Sequence, residues 1–162
     1  MDKRISRSIF MNLYFIISAA VILVADQVTK YIVVQKIPMN NSIEVIKGFF
    51  YITPINNTGA AFGMFQGYTR VLTVVSIIAI FLIIFLKAII NLNSVFYNIS
   101  LGFILGGAMG NLVDRYFAGE VTDFLNFSFF GAVFNVADLF INVGFCITII
   151  IILREYFKKK KV

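Results

Sequence analysis

Residues Val71 to Ile90 read VLTVVSIIAIFLIIFLKAII, an apolar run whose single charge is Lys87. A hydrocarbon core about 30 Å thick is crossed by about 20 apolar residues in helical form. The stretch therefore reads as a membrane-spanning helix, and it sets the class of the fold. Working outward, three more segments reach that length: about residues 9–34, about 96–112 and about 133–153. The first carries Asp26 and Lys30 in its last turns. Its basic start resembles a signal peptide, but no small-x-small cleavage site precedes a soluble region, so it reads as a retained helix. Composition agrees. Of 162 residues, 60% are hydrophobic and 14% charged, with a mean hydropathy of +0.92. A soluble domain is nearer half apolar and a quarter charged. The expectation is one integral membrane domain spanning residues 1–162.

The same composition narrows the chemistry. With no histidine in the chain, Ser-His-Asp triads, Cys-His pairs and histidine zinc sites are excluded. Cys146, the sole cysteine, sits in an apolar run and reads as packed or lipid-facing. The formal net charge of +6 comes from basic residues concentrated at the termini, so nucleic acid is not the implied partner. Four spans place both termini on one side of the membrane. That side holds Lys3, Arg4, Arg7, Lys87, Arg154 and Lys158 to Lys161; the other holds Lys30, Lys36, Lys47, Arg70 and Arg115. Nine basic residues against five puts the termini in the cytoplasm. The Lys158 to Lys161 run reads as a stop-transfer and anionic-lipid contact.

Two connections then lie outside, about residues 37–69 and about 117–132. Ile43-Glu44-Val45 alternates, and Phe49-Phe50-Tyr51-Ile52-Thr53 is rich in β-formers up to Pro54, which is expected to stop the strand. The second connection is aromatic and partly alternating, with Gly119 and Gly131 as turn residues. A small sheet on the outer membrane surface is expected. Aromatic loops acting only as interfacial anchors are the plainer alternative.

Asp123, in Val121-Thr122-Asp123-Phe124, and Asp138, in Phe134-Asn135-Val136-Ala137-Asp138, are the notable acids. A carboxylate near hydrocarbon costs several kcal/mol, so it is retained for a purpose. Two carboxyls that meet at the membrane surface can share a proton and activate water, which is aspartyl protease chemistry. Asp138 has a simpler role open to it, because Asn135 and Asp138 have N-cap to N3 spacing. Asp26 and Lys30, at i and i+4, can pair as structural support. An acid partner that holds Lys30 charged argues against a Ser-Lys protease. Asn56-Asn57-Thr58-Gly59-Ala60-Ala61-Phe62-Gly63 is a small-residue loop suited to close backbone approach. Gly102, Gly106 and Gly110 form a stripe suited to helix packing. The third helix ends in Asn111-Leu112-Val113-Asp114-Arg115, where Arg115 can pair with Asp114 or with a carboxyl on a neighbouring helix.

Taken together, Asp26 to Lys30, Asn57 to Gly63, Gly106 to Arg115, Val121 to Phe124 and Phe134 to Asp138 resemble the lipoprotein signal peptidases, also called signal peptidase II. The five blocks follow the family's order and span nearly the whole chain; only Pro54-Ile55-Asn56 looks idiosyncratic. The resemblance implies an all-α membrane protein with a small β part, a four-helix transmembrane bundle plus an extracytoplasmic β-cradle. It implies an aspartyl endopeptidase of the bacterial plasma membrane that removes prolipoprotein signal peptides just before a diacylglyceryl-modified cysteine, with no metal or cofactor. Asp123 and Asp138 match the catalytic dyad, and Asn57, Gly59, Asn111, Arg115 and Asn135 match residues lining the substrate pocket. Asp26, Lys30 and Asp114 fall to structural support. Diacylated prolipoproteins, membrane lipids and cyclic peptide inhibitors of the globomycin type are the implied partners. From other classes, a small transporter with intramembrane acids as a proton relay is disfavoured, since the acids lie on one surface and no internal repeat is found. A non-catalytic assembly factor using the glycine stripe is a third reading.

Overall fold

The computed structural model describes residues 3–59, 64–90, 92 and 94–160, with side chains from Phe10 onward. Ala60 to Gly63 of the small-residue motif, Lys161, and the side chains of Lys3, Arg4 and Arg7 lie outside the described residues. In chain order the elements are α1 (Lys3–Lys36), β1 (Ile43–Ile46), β2 (Phe50–Asn57), α2 (Thr69–Ile89), α3 (Val95–Phe117), β3 (Val121–Phe127), β4 (Val133–Phe134) and α4 (Val136–Lys160). All four helices are long and apolar enough to cross a membrane. With the small antiparallel sheet they form the expected fold class.

The helices do not share the core equally. In its most apolar window, 56% of α3 is buried, whereas none of the α2 window is. A helix that is apolar all round and unburied by protein is one solvated by lipid. Val74, Ile78, Phe81, Leu82 and Phe85 of α2 all point outward. Burial of α3 depends on its missing side chains. Gly102 and Gly106 lie against the backbone of Ala19 and its neighbours in α1, and Gly110 lies against the Asp26 side chain. On another face a Cβ at Gly107 would stand 2.6 Å from the Ala137 carbonyl oxygen of α4. The glycine stripe is thus an α1 contact, with Gly107 and Gly144 opening the α3–α4 seam.

The sheet has the order β1-β2-β3-β4, antiparallel throughout. Its central pair, β2 with β3, joins residues on either side of α2 and α3. Phe50 faces Phe127, Ile55 faces Asp123 and Asn57 faces Val121. Two expected boundaries change. β2 does not stop at Pro54 but continues to Asn57, with a shift of register between Ile52 and Ile55. Proline cannot donate to a ladder, and a bulge removes that requirement; the Pro54 carbonyl still accepts from the Asn40 N–H at 2.9 Å. Val133 and Phe134, expected in the fourth helix, instead form β4 against β3. The helices also run past the apolar windows, to Lys36, Phe117 and Lys160. Hydropathy registers the hydrocarbon thickness, whereas backbone hydrogen bonding continues into water. Gly119 and Gly131 are turn residues with φ of 78° and 64°, in the left-handed region. Phenylalanines crowd the sheet at one end, with Phe50 stacked on Phe127 at 4.8 Å and Phe49 on Phe129 at 5.3 Å.

Candidate active site

Asn135 joins the sheet to α4 and is completely buried. Its Oδ1 accepts from the Asp138 N–H at 2.8 Å, and its own N–H donates to Asp138 Oδ2 at 3.3 Å. This reciprocal pair is a capping box, so the capping role open to Asp138 is realised. The Asn135 amide does more. Nδ2 donates to Asp123 Oδ1 at 2.6 Å and to Asn111 Oδ1 at 3.0 Å. One side chain therefore caps α4 and ties both acids into a single network.

Asp123 sits on β3 with 2% exposure. In the β2–β3 ladder it is the diagonal, same-face neighbour of Asn57, whose Nδ2 donates to Asp123 Oδ2 at 2.7 Å. Asn57 Oδ1 accepts from the Gly59 N–H at 2.9 Å, which fixes the loop and the direction of the amide together. Burial pushes the Asp123 carboxyl up to about 7, helped by the charge of Asp138 and opposed by the Asn57 and Asn135 hydrogen bonds and by Lys30. Asp138 Oδ1 accepts from Asn111 Nδ2 at 2.8 Å. Every carboxylate oxygen of the two acids has a donor.

Between the acids is a cavity of about 40 Å³ lined by Asn57, Asn111, Arg115, Val121, Asp123, Val133, Phe134 and Asp138. A water needs roughly 10–15 Å³, so there is room for about three. Asn57 and Val133 also line a cavity of about 310 Å³ on the sheet side, and Arg115 also lines one of about 760 Å³ beside the start of α2. The small polar pocket thus shares Asn57 and Val133 with one larger space and Arg115 with another.

Behind it lies a buried ionic cluster. Lys30 Nζ is 2.7 Å from Asp26 Oδ2 and 2.7 Å from Asp114 Oδ2, and donates to Asn111 Oδ1 at 3.1 Å. The Asp26–Lys30 pair is as the i, i+4 spacing implies. Asp114, however, pairs with Lys30 across the α1–α3 seam and not with Arg115. Arg115 reaches Ser76 Oγ and the Asn111 carbonyl, each at 3.5 Å. A charge inside the helix bundle is paired where it can be desolvated together with its partner, and Lys30 already occupied that position. Sequence reasoning assigned no role to Gln27. Its Nε2 donates to Asp114 Oδ1 at 2.9 Å and to Asp26 Oδ2 at 3.2 Å. Nor did it anticipate the Ala137 N–H on Asp26 Oδ1 at 2.9 Å, which pins the start of α4 to α1. The polarity of Gln27 next to Asp26 in an apolar span was the available signal. Gly59 contacts Asn57 and the Met64 carbonyl and does not line the small cavity. Cys146 is exposed on α4. Among the described residues, no cluster of three or more Cys, Asp or Glu is placed to hold a metal ion.

Four membrane-capable helices carrying a short sheet, with one acid on the sheet and one at the start of α4 sharing a polar pocket, define a polytopic membrane protein. The profile of the family described as Signal peptidase (SPase) II matches residues 18–154. The chain belongs to the signal peptidase II family. It is 45% identical over 129 residues to the lipoprotein signal peptidase of Caldanaerobacter subterraneus subsp. tengcongensis, covering 80% of this chain and 88% of that protein. It is 37% identical over 150 residues to the lipoprotein signal peptidase of Listeria monocytogenes serotype 4a, covering 91% and 97%. A bacterial membrane enzyme solved by the in meso method at 2.3 Å resolution superposes with a TM-score of 0.84 at 32% identity, covering 91% of this chain and 92% of that one. A second, at 1.9 Å, gives a TM-score of 0.78, also at 32% identity. Membership of that family makes the chain a peptidase.

Proposed function

We propose that Asp123 and Asp138 are the catalytic pair of an aspartyl endopeptidase that cuts prolipoproteins just before the lipid-bearing cysteine. The observation that carries this reading is the pocket itself: the buried Asp123 carboxyl and the half-buried Asp138 carboxyl, held by Asn57, Asn111 and Asn135, line one space with room for water. A carboxyl raised to about 7 lets the pair hold one proton near neutral pH. The ionised member takes a proton from water, and the water oxygen bonds to the scissile carbonyl carbon. The protonated member donates to the carbonyl oxygen, and the tetrahedral intermediate collapses as the amine leaves with a proton. The titration belongs to the pair, so either acid can hold the proton in the resting enzyme.

A helical peptide bond is already hydrogen-bonded, so the substrate helix unwinds locally at the pocket and its freed backbone groups need partners near lipid. Asn57 and Arg115 line the pocket there, with Asn111 and Asn135 holding the acids. The flanking cavities give room for the unwound chain and for the diacylglyceryl group. Cyclic peptides of the globomycin type block the same pocket. The whole chain acts as one integral membrane unit, with both termini cytoplasmic and the pocket at the extracytoplasmic surface, on the argument of nine basic residues against five.

The test is to incubate the purified protein with a diacylated and an unmodified prolipoprotein and to read the products by mass. Release of a mature fragment beginning at the lipidated cysteine is expected. Cleavage at another bond, or equal cleavage without the lipid, overturns the proposed specificity.

A further inference from the structure

Lys30 has a third contact that an ion pair does not require. Its ammonium has three N–H groups and no acceptor. Two are directed at Asp26 and Asp114, each at 2.7 Å, which leaves the third for Asn111 Oδ1 at 3.1 Å. A donor-only group accepts just one orientation of a neighbouring amide, with the oxygen toward it. Asn135 Nδ2, at 3.0 Å from the same oxygen, imposes the same choice. The Asn111 Nδ2 must then point the other way, and it lies 2.8 Å from Asp138 Oδ1. Flipping that amide would set N–H against ammonium at one end and a carbonyl against a carboxyl oxygen at the other. A carbonyl on Asp138 Oδ1 is satisfied only by a proton on that oxygen, which would draw the shared proton away from the cavity.

We propose that Lys30 is a positioning residue for the proteolytic reaction, acting through Asn111 to hold an amide N–H on Asp138. The proposal rests on the reading of Asp123 and Asp138 as the reactive pair. Lys30 touches neither substrate nor reacting atoms; it sets the amide that sets the acid. Asp26 and Asp114 hold the lysine in place, and Gln27 bridges those two carboxylates.

A lone Lys30 substitution would strand the buried Asp26 and the partly buried Asp114, so the test neutralises the cluster as a unit: Asp26→Asn, Lys30→Gln and Asp114→Asn together. Each asparagine keeps one acceptor oxygen, for the Ala137 N–H at position 26 and for the Gln27 amide at position 114, and glutamine at position 30 can face Asn111 with either end of its own amide. On a diacylated prolipoprotein, kcat per folded molecule should fall at least about tenfold with KM within about twofold, the signature of misplaced reacting groups rather than weakened binding. An unchanged kcat, or a change in KM alone, overturns the proposal. Should the neutral cluster fail to fold, Asn111→Ser leaves both carboxylate contacts of Lys30 in place and removes the amide that links Lys30 and Asn135 to Asp138. Its kcat must then drop with little change in melting temperature, and a retained kcat overturns the proposal equally. Asp123→Asn in the same assay separates the two ideas. If it is dead while the neutral cluster is fully active, only the Lys30 role fails; if it cleaves normally, the dyad reading has failed.

Discussion

Asp123 has a definite pH signature. Its carboxyl titrates near 7 in the folded protein against 3.8 for the free group, mainly through burial. Because the folded state holds the proton more tightly, this acid's contribution to stability is complete below about pH 4 and is lost as pH rises through about 7. Taken alone the shift corresponds to at most about 4 kcal/mol. Thermal melting in detergent between pH 4 and 8 should therefore show a downward slope that flattens in Asp123→Asn. An identical slope in the variant would mean that the acid is not buried as described. The exchange also tests the chemistry. Asparagine at 138 can accept from the Asn135 N–H but meets Asn111 with donor against donor. Asp138→Asn should therefore keep the cap and lose about 1 kcal/mol of stability. Neither Asp123→Asn nor Asp138→Asn can take a proton from water, so each should lose at least the roughly 10²–10⁴-fold that acid-base groups supply. The double variant should be little worse than either one, because the two act as a unit. Cleavage by Asp138→Asn at the wild-type rate would leave that residue as a cap alone.

Between elements, the close seams are made by glycine. An alanine at position 107 would push its methyl against the Ala137 carbonyl at 2.6 Å, and backbone oxygen cannot rotate away. Gly107→Ala should destabilise by about 1–3 kcal/mol, the usual range for overpacking. Because Ala137 lies next to Asp138, activity should fall beyond the fraction unfolded. A variant that melts normally would show that α3 and α4 are not in backbone contact there. Element boundaries were less legible than elements. The alternating residues 43–45 and the β-formers at 49–53 were visible in sequence, but the passage of β2 through Pro54 was not. Only the partner strand shows that the ladder resumes at Ile55 opposite Asp123.

For the whole molecule, nine basic residues against five fix an orientation that can be tested. A reporter fused after Val162 should be active only in the cytoplasm, and one inserted near Gly48 only outside. Gly48 is a safe insertion point, since it lies in the turn between β1 and β2 at φ 68° with open space around it. A cytoplasmic signal from the Gly48 insertion would invert the assignment and place the pocket on the other face.

The amino-acid sequence by itself determined the membrane class, the four helices, the existence of a small sheet and the family, because hydropathy, strand alternation and motif order are all local properties of the chain. It also singled out Asp123 and Asp138, since an acid in an apolar context stands out wherever it occurs. Local pattern could not say which polar groups would meet, because that depends on pairings across more than 80 residues. Asn111 is 81 residues from Lys30 and Gln27 is 87 from Asp114, yet both pairs share one buried network. Arg115 follows Asp114 directly and was a natural partner for it, but the packing of α1 on α3 brought Lys30 there instead. Tertiary structure decided these matters because a desolvated charge takes whichever partner folding delivers to it, at whatever distance in sequence that partner began.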